Sequence, residues 1–356
     1  MSMKKIERFA VLTIISLTIM GCSTPATRTT GTSEQDVDAE TLKQLEIRLA
    51  TDLREHDRVM AVAYPLLKSA VPICDDDAIP SIGLTPSNLY TLSKDVRQVA
   101  VRLYDIDDQL QVMIVHPGSP ADKAGLMRGD KLLSLNEQPV ITGEDAAKKW
   151  YEQLKKVLEV SNSLTLTISR NGEQSQLTLN AEKVCGYSVA ETYSDTVNAF
   201  ADGKNIVLSA GMLRFAQNDN ELALVISHEI AHNAMDHMEA KRSNYTSGTL
   251  LDIAAALAGV NTGGAFGRIA AGVYSKGFES EADYVGLYIM ALADVPIEDA
   301  PKFWRRMAAT HPESAGKGGF LASHPATSER FVALENTIEE IHQKQASGVL
   351  LTPNMK

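Results

Sequence analysis

The chain is short of cysteine, of basic charge and of long apolar runs, and each shortage excludes something. Three cysteines in 356 residues are too few for a disulfide scaffold, and the odd count leaves one to be explained by itself. Lys and Arg number 34 against 45 Asp and Glu, a net charge of −11, which argues against a nucleic-acid binder. The first uncharged apolar stretch, residues 9–20, is well below the roughly 20 residues a membrane-spanning helix needs. Residues 245–274 are rich in Gly, Ala and Leu, but Asp252, Asn261 and Arg268 interrupt them too often for a span. What is present is the composition of a soluble globular chain, 44% apolar and 22% charged. At this length it should form two domains, or one with a large insertion.

Lys4, Lys5 and Arg8 precede the apolar stretch, which runs into Leu17-Thr18-Ile19-Met20-Gly21-Cys22-Ser23. A basic start and a short apolar core fit a signal peptide. A small residue before a cysteine at its end resembles the bacterial lipobox, from which Met20 departs in being bulkier than usual. The resemblance implies that residues 1–21 are removed and that Cys22 becomes the lipidated first residue. The alternative is a plain signal peptide or short anchor with an incidental cysteine. Ser23 resembles the residue that sorts such lipoproteins to the outer membrane of a Gram-negative cell, so a lipid-anchored periplasmic protein is expected. The mature chain would then hold 31 basic and 44 acidic residues, a charge of −13. Residues 22–38, polar and Thr-rich, read as a flexible tether.

Leu42, Leu45, Leu49, Leu53 and Val59 recur at helical spacing, so residues 39–69 should be a helix. Between residues 79 and 183 the texture changes to short apolar runs with turn signals, Asn171-Gly172 among them, and two helical patches at 121–125 and 144–160. The run His116-Pro117-Gly118-Ser119-Pro120-Ala121 through Gly129-Asp130-Lys131-Leu132 to Asn136 resembles a PDZ domain. C-terminal peptides are the partners that resemblance implies. Either Ser81-Ile82-Gly83-Leu84 or residues 101–104 would be the loop that cradles the peptide carboxylate. Cys74 and Cys185 flank this segment and, in an oxidising periplasm, should form a disulfide; two buried thiols are the alternative.

Residues 220–237 read as a capped apolar helix, with Asp219 or Asn220 as cap, carrying His228-Glu229-Ile230-Ala231-His232. Histidines four apart share a helical face and can reach one cation. Glu229 is turned about 100° from His228, near enough to touch water held by that cation without ligating it. Zinc needs a third protein ligand. Among many acids the best candidate is Glu279, which opens Glu279-Ser280-Glu281-Ala282-Asp283 and a second helical pattern. Glu279 and Asp283 share a face, so one can ligate while the other steadies a ligating histidine. Glu281 and His237 point elsewhere and read as structural.

His-Glu-x-x-His followed by Glu-x-Glu-Ala-Asp resembles the gluzincin peptidases, the family of the CAAX prenyl protease, HtpX and the BepA-type periplasmic peptidases. Residues 197–201 and 205–213 resemble that family's strand-turn entry to the zinc helix. Ser323-His324-Pro325-Ala326-Thr327-Ser328-Glu329-Arg330 resembles its C-terminal segment. The chain departs from HtpX and the prenyl protease in lacking their membrane spans, and from BepA-like members in carrying a PDZ segment instead of helical repeats. The resemblance implies an α+β fold: a mostly helical zincin-like domain with a small sheet, plus an inserted PDZ-like barrel or sandwich. Boundaries are expected at 39–74 for the first helical part, 75–185 for the PDZ, 186–345 for the peptidase and 346–356 for a tail. It implies one Zn²⁺ per chain held by His228, His232 and Glu279, with Glu229 as general base and Asp283 beside a ligand. His324 and Arg330 would stand near the active site as oxyanion stabiliser, substrate clamp or removable zinc plug, or else lie on a surface loop. Residues 206–209 alternate like a strand and would be either the edge that takes an extended substrate or plain core. The expected function is a zinc endopeptidase of unfolded or misassembled envelope proteins, with the PDZ regulating access. The alternative is a periplasmic chaperone or assembly factor acting through the PDZ.

Overall fold

A computed structural model describes residues 30–257, 265–310 and 319–354. The signal pattern, Cys22 and the first part of the tether lie outside the described residues, as do residues 258–264 of the Gly/Ala-rich segment. Among the described residues no helix is long and apolar enough to cross a membrane.

Helix α1 spans Glu34–Ser69 and so begins inside the stretch assigned to the tether. Ser33 explains the earlier start. Its hydroxyl accepts from Asp36 N at 3.1 Å, and Glu34 and Asp36 lie in the first turn, where acids favour the helix dipole. After a short turn of helix at Val71–Cys74 come β1 (Ala78–Ser81), β2 (Leu84–Ser87), α2 (Arg97–Tyr104) and β3 (Gln111–Val115). Strands β4 (Lys131–Leu135) and β5 (Gln138–Pro139), helix α3 (Ala146–Leu158) and strands β6 (Ser163–Arg170) and β7 (Glu173–Asn180) complete this stretch. The sheet runs β2-β3-β4-β6-β7, with β5 against β4. Asn171 and Gly172 turn β6 into β7 with φ of 54° and 84°, the positive pair a two-residue hairpin requires. On β6, Leu164, Leu166 and Ile168 alternate into a core with Leu110, Leu132, Trp150 and Leu179.

A second core takes residues from both sides of that one: Val59 to Leu67 of α1, Ala70 and Cys74 before it, and Val184 to Ile341 after it. The chain leaves the second core and returns to it through a two-stranded ribbon, β1 against β8 (Glu182–Cys185), with Ala78 opposite Cys185. A disulfide joins Cys74 to Cys185 at the root of this ribbon. Arg128 reaches α1 with Nη2 2.7 Å from both oxygens of Asp57, and Tyr64 donates to Glu182 at 3.0 Å. Residues 101–104, one candidate for the carboxylate loop, belong to helix α2 and cannot serve as a loop.

The rest of the chain forms a three-stranded sheet and a set of helices. Its strands are β9 (Ser188–Thr192), β10 (Ala199–Ala201) and β11 (Asn205–Ser209), in the order β10-β11-β9. Strand β11 is therefore the centre of its sheet, antiparallel to β10 and parallel to β9, so of the two readings of residues 206–209 it is the core and not the edge. Helices α4 (Ala210–Phe215), α5 (Asp219–Ala234), α6 (His237–Leu257), α7 (Ala265–Leu292), α8 (Ala300–Thr310) and α9 (Ser328–Ala346) follow.

Candidate metal centre

Helix α5 opens at Asn218, whose side chain accepts from Glu221 N at 3.0 Å, so the cap lies one residue before the earliest position expected. Every residue from Leu222 to Asn233 is buried, which makes α5 a core helix with two histidines in its interior. His228 Nε2 and His232 Nε2 stand 3.1 Å apart. From α7, Glu279 brings Oε2 to 3.4 Å of His228 Nε2 and Oε1 to 3.6 Å of His232 Nε2. His324 follows the helical turn Phe320–Ser323, and its Nδ1 lies 2.8 Å from Glu279 Oε2 and 3.3 Å from His228 Nε2. The Phe320 ring stacks on His324 at 4.2 Å.

Donor atoms of these four residues lie within 4.8 Å of one another. Tetrahedral zinc with bonds of about 2.0–2.1 Å places neighbouring donors about 3.3 Å apart, close to the separations found. Three imidazoles and a carboxylate form a donor set that zinc accepts. Both oxygens of buried Glu229, and Oε1 of Glu279, have no hydrogen-bond partner, the kind of orphaned acceptor that a cation and its water satisfy. The residues therefore fit one zinc ion. Glu229 is fully buried, and burial raises its carboxyl above the usual range. Burial works against charge on His228 too, but Asp283 and Glu279 outweigh it and push the imidazole up to about 9. His232, where burial dominates, is held well below its ordinary value.

Each α5 histidine meets a different support on its outer nitrogen. His228 Nδ1 is 3.1 Å from Asp283 Oδ1, though not in line for a straight hydrogen bond. Asp283 in turn takes Nε and Nη2 of Arg330, both at 2.7 Å, and Arg330 Nη1 donates to Pro325 O at 3.0 Å. His232 Nδ1 lies 2.8 Å from His237 Nδ1, and His237 Nε2 lies 3.2 Å from Glu281 Oε2.

Comparison with known proteins gives a different family for most of each core, the two matches overlapping at residues 167–181. Residues 167–338 match the model of peptidase family M48, and residues 80–181 match that of the PDZ domain. The chain carries an M48 peptidase domain and a PDZ domain. A mitochondrial metalloendopeptidase OMA1 of Schizosaccharomyces pombe is 27% identical over 159 residues, 43% of this chain and 47% of that protein. A putative beta-barrel assembly-enhancing protease of Vibrio cholerae is 33% identical over 152 residues, 38% of this chain and 31% of that protein. The chain thus spans less than half the length of these relatives. A solved HtrA3 PDZ domain bound to a phage-derived ligand is 18% identical and covers 30% of this chain and 88% of that one, with a TM-score of 0.22.

Within the M48 domain the structure brings His228, Glu229, His232, Glu279, Asp283, His324 and Arg330 together. For two of them the alternatives narrow. Arg330 does not face an open cleft as a clamp or oxyanion stabiliser, because it is 5% exposed and three of its nitrogens are committed to Asp283 and Pro325. His324 stands buried among the donors themselves and not on a surface loop. His237 and Glu281 are the residues that sequence reasoning missed. The half-turn that sets His237 off the His228 face holds only if one helix continues past His232. Helix α5 stops at Ala234, Asp236 takes a left-handed φ of 51°, and α6 starts at His237, which returns that ring to His232. The end of the apolar run at Ala234 was the signal available.

Proposed function

We propose that this protein is a zinc-dependent endopeptidase of the cell envelope, acting on unfolded or misassembled proteins, with its PDZ domain regulating access. The observation that carries the reading is Glu229: a buried carboxylate whose oxygens take no hydrogen bond, beside a complete donor set, on the helix that supplies two of the donors. A purely structural zinc site has no use for a base there. The names of the relatives, a metalloendopeptidase and a beta-barrel assembly-enhancing protease, support peptide-bond hydrolysis and an envelope setting. The pattern ending at Cys22 supports a lipid anchor at the outer membrane.

Zinc, when held by His228, His232 and Glu279, would acidify the attacking water and polarise the scissile carbonyl. Glu229 would accept the water's proton and pass it to the leaving amine, a role that a burial-raised carboxyl suits. Asp283 steadies His228, and Arg330 keeps Asp283 ionised and in place. His324 would withdraw to open the fourth position for water and substrate. Strand β10 packs beside α5 and pairs, among the described residues, only with β11, so its outer edge is the place for an extended substrate to add as a strand.

The test is Glu229→Gln. The variant should keep its zinc and lose cleavage of an unfolded protein such as casein by about 10²–10⁴-fold, the usual worth of a general base. Undiminished cleavage by a zinc-loaded variant would overturn the assignment.

A further inference from the structure

We propose that His237 and Glu281 are positioning residues that lock His232 in the one tautomer able to hold the metal. The inference rests on the zinc reading above and concerns residues to which that reading gives no part.

Proton placement decides it. His232 Nε2 faces His228 Nε2 at 3.1 Å and Glu279 Oε1 at 3.6 Å, so it must be bare to ligate. A neutral imidazole with a bare Nε2 carries its proton on Nδ1. That proton points at His237 Nδ1, 2.8 Å away, which can accept it only if His237 carries its own proton on Nε2. His237 Nε2 in turn has the Glu281 carboxylate at 3.2 Å to receive it. One assignment satisfies both links and leaves His232 Nε2 bare: His232 Nδ1–H donates to His237, and His237 Nε2–H donates to Glu281. The opposite tautomer of His232 would put a proton where the cation belongs and set two lone pairs against each other at 2.8 Å.

The surroundings hold this arrangement in place. His237 is 1% exposed, and its ring stacks on Phe278 at 4.6 Å with 26° between the planes. Phe278 and Glu281 are three apart on α7 and share a face, so the helix that supplies Glu279 to the cluster also fixes the ring and its acceptor. Glu281 is half exposed, so the acceptor stays in contact with water. A carboxylate behind the imidazole also raises the basicity of the ligand in front of it.

Zinc affinity of the purified, folded protein, measured by competition with a chromophoric chelator, separates this role from simple packing. His237→Asn places an amide oxygen near the Nδ1 position and keeps the acceptor. His237→Phe keeps the ring on Phe278 and removes it. The expected result is that Phe weakens zinc by about 10–100-fold while Asn stays close to the wild type. Glu281→Ala, at a position too exposed to threaten folding, should weaken zinc by about tenfold and carries the test if either His237 variant fails to fold. Phe binding as tightly as the wild type, Asn no better than Phe, or an unchanged affinity in Glu281→Ala would each overturn the proposal. A wild-type protein that binds no zinc would overturn the metal reading along with it, whereas tight binding that none of the variants alters overturns this proposal alone.

Discussion

Arg330 and Asp283 form a bidentate ion pair in which neither residue is more than 5% exposed. Taking two charges out of water costs several kcal/mol each, and only their mutual attraction and hydrogen bonds offset it. Removing one partner should therefore cost more than the pair is worth. Arg330→Met leaves Asp283 buried, ionised and facing His228, and should destabilise the protein by about 3–5 kcal/mol in urea unfolding. The same substitution combined with Asp283→Asn removes both charges and should recover part of that loss. A double variant less stable than Arg330→Met would show that the charge left behind is not the source of the cost. The pairing spans 47 residues of sequence. Nothing in the spacing of either residue announces it, which is why the C-terminal pattern placed Arg330 near the site without pointing to Asp283 as its partner.

Helices α5 and α7 deliver three of the four donors, and Gly286 lies where α7 packs against the backbone of His228. A Cβ built there would sit 3.2 Å from His228 N and 3.3 Å from His228 Cα, both backbone atoms that cannot swing aside. Gly286→Ala should push the helices apart near His228, cost about 1–3 kcal/mol and lower zinc affinity by pulling Glu279 away from His228. Denaturant unfolding and chelator competition check the two effects, and a variant as stable and as tight as the wild type would show that the contact has slack. What was legible at this scale follows from period. Four-residue spacing put His228 with His232 and Glu279 with Asp283, because all four stay within single helices. Asn171-Gly172 announced its hairpin because the two-residue turn requires two positive φ values, which Asn and Gly adopt readily. What spacing could not give was anything that crosses a break between elements. His237 needed the helix to stop at Ala234, and the rank of β11 in its sheet depended on which strands flank it. A strand's own alternation cannot distinguish a central position from an edge when Leu208 and Ile206 are buried in either case.

At the scale of the whole molecule the two cores differ in what holds them. Residues of the PDZ core contribute no donor to the cluster, and that core is closed by its own sheet and by Trp150 from α3. The M48 core instead gathers its donors from α5, from α7 and from the turn before α9, segments up to 96 residues apart. A cation binding all of them closes those loops in the folded state only. Binding to the folded state alone stabilises by an amount set by free metal over the dissociation constant, about 4 kcal/mol at a thousandfold excess. In a domain of this size each kcal/mol moves the melting temperature by about 2–4 °C. Calorimetry of the zinc-loaded protein should therefore show a transition that a chelator lowers by about 10 °C. Glu279→Gln, with a weakened donor, should melt near the chelated wild type and respond little to chelator. If the PDZ core unfolds as a separate step, that step should stay where it is, since no metal bridges its strands. A melting profile unmoved by chelator in a protein shown to contain zinc would mean that the cluster binds folded and unfolded chains alike, and would remove the metal from the forces that hold the M48 core.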